Sequence, residues 1–335
     1  VIRPGRVSVA VLLALPLWPL RGLIAPADHA GYIDFVQEAG GLRDLSGLSA
    51  KLYVGVFFDA VERAMPWRVF TNGVLAAYLL CLAAALRSLG GYALALVLTL
   101  PVIIHLDYIS KEAILVFLLL CAVATARGVG RRAGHAVLVA GLAAFALFIR
   151  PYYALPLAAA LAVAALGWWR GSLAVGAGLA AMALAFPWPL AQLEAAREAM
   201  YVASQTRFGT RTIYPGVSLD PETGPALRAV QNYLAVLRGS LLPVTWTATV
   251  KDLYAQVFAL AFVALARGAV RRGDPLFAGF GVFMALTVPF FSPDLGTSLR
   301  HVAAAATFLW AALALGRAGE SRAGGSAMQI LPVLP

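Results

Sequence analysis

Residues 111–132 read KEAILVFLLLCAVATARGVGRR. Lys111 and Glu112 stand at one end of an apolar run, Ala113 to Ala126, and Arg127, Arg131 and Arg132 stand at the other. Basic residues in short turns stay on the cytoplasmic side of a membrane, so the run reads as a span with a direction. The same asymmetry recurs along the chain. Short basic turns carry Arg3 and Arg6, Arg87, Arg170, the Arg267/Arg271/Arg272 group, and Arg317 with Arg322. The opposite set of linkers carries Asp28, Asp34 and Glu38, then Asp107, Lys111 and Glu112, then Arg150, a mixed stretch near 190–251, and Asp294 with Arg300 and His301. On this reading every ionisable residue able to do chemistry faces the periplasm or cell exterior, and every compact Arg cluster faces the cytoplasm.

Composition agrees. Of 335 residues, 61% are hydrophobic and 13% charged, with a mean hydropathy of +0.82, against about 25% charged in a soluble domain. The expected fold is all-α: a polytopic transmembrane helical bundle with amphipathic helices in its outer loops. A formal charge of +10 would suggest nucleic acid in a soluble protein. Here much of it sits in the cytoplasmic turns, where it serves topology and anionic-lipid contact, and no nucleic-acid partner is expected. Cys81 and Cys121 are the two cysteines. Both lie inside apolar runs, which suits packing and not a disulfide framework or metal site.

A spanning helix needs roughly 17–25 apolar residues, and the runs supply about ten crossings. They are Val7 to Ile24, Val69 to Leu86, Tyr92 to Ile104, Ala113 to Ala126, Ala136 to Ile149, Ala154 to Trp169, Ser172 to Leu190, Leu253 to Ala266, Leu276 to Phe291 and Val302 to Leu315. Several are short, which suits a bundle rich in Ala and Gly. An even number of crossings puts both termini in the cytoplasm of a bacterial-type inner membrane. Residues 1–316 then form one transmembrane domain with outer loops 26–68 and 191–251, and 317–335 form a weakly ordered cytoplasmic tail. Arg3, Arg6, an apolar run and Ala25-Pro26-Ala27 imitate a secretory signal. Pro16 and Pro19 interrupt it and its loss would disturb the topology, so an uncleaved first helix is expected.

Two outer segments have the periodicity of amphipathic helices. Val54, Phe57, Phe58, Val61 and Met65 share one face of Lys51 to Met65, a helix expected to lie in the outer interface. Leu227, Val230, Leu234, Leu237 and Leu241 repeat the pattern over Ala226 to Leu241, after an irregular Gly- and Pro-rich stretch.

The outer polar residues fall into groups. Asp28 and Asp34 open the first loop, where a carboxylate can orient a sugar hydroxyl and take its proton; spacing alone favours a solvated helix start capped by either. In His105 to Glu112, Ser110 is placed to cap the next helix and Lys111 to contact a phosphate at its first turn, or Lys111 and Glu112 simply snorkel. Arg150 and Arg300 end or begin apolar runs, and the planar guanidinium fork suits phosphate oxygens. An Arg on the outer side opposes the charge bias of short loops and calls for a specific partner; for Arg300 that partner can be a purely structural Asp294. His301 adjoins it. Walker, HExxH, CxxC and GxSxG motifs are missing from the sequence, which leaves ATPase, zinc-protease, thiol-redox and serine-hydrolase readings without support.

The order of Asp28-x-x-x-Tyr32, Ser110-Lys111-Glu112, Arg150-Pro151-Tyr152 and Leu295-Gly296-Thr297-Ser298-Leu299-Arg300-His301 resembles the integral-membrane glycosyltransferases of the GT-C superfamily and the related oligosaccharide repeat-unit polymerases of O-antigen and exopolysaccharide clusters. The resemblance implies transfer of a sugar or oligosaccharide from a polyprenyl-(di)phosphate donor to a glycan or glycolipid acceptor on the outer face. It implies an acidic residue acting on the acceptor, Asp28 or Asp34, with Glu112 as a further candidate. Lys111, Arg150, Arg300 and His301 would hold the lipid phosphate, with Arg207 and Arg211 of the long loop as further contacts. The adjacent acid pair of GT-C enzymes is missing, since His29 follows Asp28, so no cofactor is expected and a divalent metal has no support in the residues. The competing classes are a polysaccharide or lipid transporter or flippase, which should carry charges at mid-helix, and a noncatalytic membrane subunit of an export complex.

The orientation has a direct test. A cysteine at Thr223 should react with a membrane-impermeant thiol reagent in intact cells, and one at Gly130 should not. The reverse pattern would overturn the topology.

Overall fold

The computed structural model describes residues 50–85, 89–106, 108–185, 225–241, 250–290 and 295–327, with isolated positions at 198, 201, 202 and 217. Among them every regular element is a helix. The α-helices are α1 (Ala50–Ala64), α2 (Trp67–Ala85), α3 (Leu89–Leu106), α4 (Lys111–Gly128), α5 (Arg131–Phe148), α6 (Ala154–Leu166), α7 (Trp168–Ala185), α8 (Pro225–Leu241), α9 (Val250–Arg272), α10 (Pro275–Thr287) and α11 (Leu295–Ala327). Short 3₁₀ turns, Pro151–Tyr153 and Val288–Phe290, precede α6 and follow α10. The apolar runs are helical wherever they are described, except that the run from Ala154 to Trp169 breaks at Gly167 between α6 and α7. The run from Val7 to Ile24 lies outside the described residues.

Three stretches are long and apolar enough to cross a membrane by length and composition: Arg131–Phe148, Leu253–Arg272 and Ser298–Gly316. Shorter apolar helices, Trp67–Ala83, Pro151–Leu166 and Pro275–Phe290, lie beside them. The turns between α2, α3, α4 and α5 are short, so consecutive helices run antiparallel and α2 and α4 point the same way.

The bundle is organised around α11. From His301 to Leu315 every residue of this helix is buried, and it packs against α2, α3, α4, α8, α9 and α10. A helix that is apolar all round is buried all round. The small side chains of Ala303 to Ala306, Ala311 and Ala312 let neighbouring backbones approach, and Phe308, Leu309 and Trp310 fill the space between them. α11 also continues to Ala327, through much of the segment expected to be a weakly ordered tail.

α10 is the second packing element, held between α6 and α11. Gly279 and Gly281 lie on roughly opposite sides of it, since two residues turn a helix by about 200°. A Cβ at Gly279 would stand 3.1 Å from the Ala160 backbone of α6, and one at Gly281 would stand 2.8 Å from the Ala305 carbonyl of α11.

The amphipathic segments are helices, but their apolar residues divide differently from the expectation. In α1, Val54 and Phe58 are buried. Phe57 and Phe58 stack on Phe70 of α2, and Phe57 also meets Phe117 of α4, so part of the apolar face docks onto the bundle. In α8, Leu227, Val230 and Leu234 are exposed, whereas Val236, Leu241 and the polar Asn232 are buried. Its leucine stripe therefore faces outward along most of its length.

Gly281→Val should destabilise the bundle by about 1–3 kcal/mol through overpacking. Gly176→Ala, where an added Cβ meets nothing within 4 Å, should be neutral or slightly stabilising. Thermal unfolding of the detergent-solubilised protein measures both.

Candidate functional site

The turn between α3 and α4 is built by Ser110. Its extended backbone precedes the first turn of α4, its hydroxyl accepts from the Ala113 amide at 3.1 Å, and it donates to the His105 carbonyl at 2.7 Å. One side chain thus caps the start of α4 and ties it to the end of α3. The geometry fixes Glu112 in the first turn of α4, one residue before the apolar run, with the residue only 5% exposed.

A buried carboxylate needs partners, and two arrive from far along the chain. Arg150 Nη2 donates to Glu112 Oε1 at 3.0 Å, and Arg300 Nε lies 3.4 Å from the same oxygen. Arg150 sits at the end of α5, where its backbone amide closes the last turn on the Phe145 carbonyl at 2.9 Å. Pro151 begins the 3₁₀ turn that follows, pre-set for the bend by its ring. This turn places Tyr152 and Tyr153 under the guanidinium, whose Cζ is 5.8 Å and 5.9 Å from the two ring centroids. Tyr153 is itself fixed between Phe145 and Phe280.

Arg300 and His301 come from the first part of α11. Arg150 Nη1 donates to His301 Nε2, and the Tyr152 hydroxyl lies 3.4 Å from the same nitrogen. Glu112, Arg150, Tyr152, Arg300 and His301 thus form one connected network from three helix ends.

The electrostatics of Glu112 follow from two opposed effects. Burial alone pushes its carboxyl up, and the guanidiniums of Arg300 and Arg150 more than reverse this, holding it well below the usual carboxylate range. Glu112 is therefore a fixed anion and a poor proton acceptor near neutrality. Among the described residues, two guanidiniums stand against one carboxylate at the cluster, an excess of positive charge. Arg150 is almost wholly buried, whereas the Arg300 side chain is 22% exposed. Beside the cluster, a crevice lined by Tyr152, Pro156, Met284, Thr287 and His301 is too narrow for a water molecule.

The expected site residues divide into three groups. Glu112, Arg150, Arg300 and His301 are brought together. Lys111 is adjacent in α4 and half-buried, turned about 100° from Glu112 around the helix. Asp28, Asp34, Arg207 and Arg211 lie outside the described residues. Tyr152, which pads Arg150 and reaches His301, was legible only as part of Arg150-Pro151-Tyr152. Among the described residues no group of three or more His, Cys, Asp or Glu side chains is placed to hold a metal ion.

A second buried polar network, which the sequence reading did not single out, surrounds Asp274. Asp274 is fully buried. It caps α10 through the amides of Leu276 and Phe277 at 3.0 Å and 3.4 Å and receives Arg131 and His135 of α5 at 2.5 Å and 2.8 Å. This network lies at the opposite end of α4 from Glu112, about 27 Å away along an 18-residue helix. Asp274-Pro275 before an apolar run is a helix-start signature, so the cap was readable; its partners Arg131 and His135 were not.

No protein-family model, curated protein or solved structure matches the chain. The site is thus read from its own geometry.

Glu112→Gln should cost about 3–5 kcal/mol, because it strands buried guanidinium charge. The double variant Glu112→Leu/Arg150→Met should lose less than the two single changes together, as expected for residues in contact. Because the folded carboxyl lies below its ordinary value of 4.5, its stabilisation is complete above that pH and is lost as pH falls below it. Unfolding midpoints of wild type measured against pH should therefore fall below about pH 4.5, and Glu112→Gln should flatten that slope.

Proposed function

We propose that the chain is a multi-pass protein of a bacterial-type inner membrane, with about ten crossings and both termini cytoplasmic. It transfers a sugar or oligosaccharide from a polyprenyl-(di)phosphate donor to a glycan or glycolipid acceptor on the outer face. The observation that carries this reading is the surplus guanidinium at the Glu112 network. Arg300 Nε is ion-paired with Glu112 Oε1 at 3.4 Å without a well-formed hydrogen bond among the described residues, and its side chain is partly exposed. A partly exposed guanidinium that shares one carboxylate oxygen with a second guanidinium, at the end of apolar helices, suits a further anionic oxygen.

The residues then have separate roles. Glu112 and Arg150 hold the Arg300 guanidinium in place, and Tyr152 and His301 fix Arg150. Arg300 binds a phosphate oxygen of the lipid donor and stabilises the charge that develops on the departing lipid phosphate. Lys111 supplies a second cation at the rim, with Arg207 and Arg211 reaching in from the long outer loop. Asp28, or Asp34, orients the acceptor hydroxyl and takes its proton as the glycosidic bond forms. No cofactor is assigned a role.

The tightness of the network favours a second reading, a noncatalytic membrane subunit in which the same ion pairs serve only to join helices. One experiment separates them. In proteoliposomes supplied with a polyprenyl-diphosphate oligosaccharide, Arg300→Gln should weaken donor binding by about 1.5–3 kcal/mol, the worth of a charged hydrogen bond. Asp28→Asn should keep donor binding and lower turnover on the order of 100-fold to 10,000-fold. If both variants bind and turn over donor like wild type, or wild type shows no transfer to any acceptor tested, the subunit reading replaces the enzymatic one.

A further inference from the structure

A large cavity among the described residues lies away from the Glu112 network. It is an open groove of about 750 Å³ between the parallel helices α2 and α4, within the roughly 300–1,000 Å³ range of small-molecule sites. Its walls are apolar: Val69, Val74 and Leu80 on α2, with Phe117, Leu120 and Val123 on α4. Gly73, Ala77 and Ala124 are small and exposed, and they keep the groove open. A Cβ at Gly73 would meet nothing within 4 Å.

Two features say what fits. The first is length. From Phe117 to Arg127 the α4 wall measures about 15 Å at ~1.5 Å per residue, half of a ~30 Å hydrocarbon core, so the groove accommodates one acyl chain of one leaflet. The second is charge. Of the residues lining the groove, Arg127 alone is charged; it is exposed and stands at the end where α4 meets the basic turn with Arg131 and Arg132. Arg131 is committed to Asp274, which leaves Arg127 beside the mouth of the groove. An apolar channel of leaflet length that ends at a guanidinium matches a lipid tail joined to an anionic headgroup.

We propose that this groove binds an anionic glycerophospholipid of the cytoplasmic leaflet, with an acyl chain between α2 and α4 and the phosphate on Arg127. The site rests on the membrane orientation proposed above and not on glycosyl transfer. Its lining on α4 runs from Phe117 to Arg127 and includes none of Glu112, Arg150 and Arg300, so it is distinct from the donor site proposed there.

Photo-crosslinking tests it. The protein is reconstituted in vesicles doped with phosphatidylglycerol or phosphatidylcholine, each carrying a diazirine near the end of one acyl chain, and crosslinked peptides are mapped by mass spectrometry. Crosslinks should fall on the groove residues of α2 and α4 and should favour phosphatidylglycerol by about five-fold, the share of one surface cation in anionic-lipid binding. Arg127→Gln should abolish the preference and keep the crosslinks. Ala77→Trp, at an exposed position, should fill the groove and remove them. The exposed apolar face of α9, at Leu253, Val257 and Leu260, is an internal reference that should be labelled by both lipids in every variant. Labelled α9 with an unlabelled groove overturns the lipid site and points to a helix, such as residues 7–24, as the occupant. Groove labelling without headgroup preference also overturns it. Absence of label on both faces refutes the membrane orientation itself, and the lipid site with it.

Discussion

A carboxylate buried among apolar helices has to be neutralised, and in this protein that requirement fixes the relation between distant parts of the chain. Glu112 takes Arg150 from 38 residues away and Arg300 from the start of α11. Neither cation is a neighbour in sequence, so the network forms only when α4, the α5–α6 junction and α11 have all docked. The two Tyr rings beside Arg150, tilted 51° to each other, add a weakly attractive aromatic flank for its guanidinium. An ion cluster of this kind contributes less to net stability than to the uniqueness of the arrangement, since its desolvation cost offsets much of the Coulomb gain.

The packing supports the same arrangement. α11 delivers Arg300 and His301 to the network from one end, and along the rest of its buried length it is the surface on which six other helices close. The small residues that allow this approach are Ala303 to Ala306, Ala311 and Ala312 of α11 itself, together with Gly279 and Gly281 of α10. The position of the Arg300 guanidinium therefore depends on methyl-sized gaps further along its own helix and on α10. A shift of α11 along its axis would move both of its polar side chains at once.

Much of the helical layout was legible because a long apolar run bounded by charged or turn residues has few alternatives. The start of α4 was legible in more detail, since Ser110 before Lys111-Glu112 is a capping pattern whose hydrogen bond is local. What could not be read was everything that depends on which helices meet. A guanidinium at 150 and another at 300 look alike as outer-side cations, and nothing in a single sequence states that both answer to the carboxylate at 112. The same limit explains α1 and α8. Periodicity identified the apolar faces, but whether Phe58 turns inward and Leu234 outward is decided by neighbours that periodicity does not name. Asp274 was passed over because it stands beside the basic Arg271 and Arg272, where the charge pattern reads as a cytoplasmic turn.

The burial of α11 on every side bears on how the protein is made. A ribosome delivers helices in chain order, and α11 follows all six of the helices it packs against. Until it emerges, those helices lie in the nascent chain without their central partner, and the Glu112–Arg150 pair lacks Arg300 and His301. Assembly cannot finish segment by segment from the N-terminus. It ends in one late step, when a single helix is inserted among partners already waiting, and a chain interrupted before residue 295 would lack both the core and the second guanidinium.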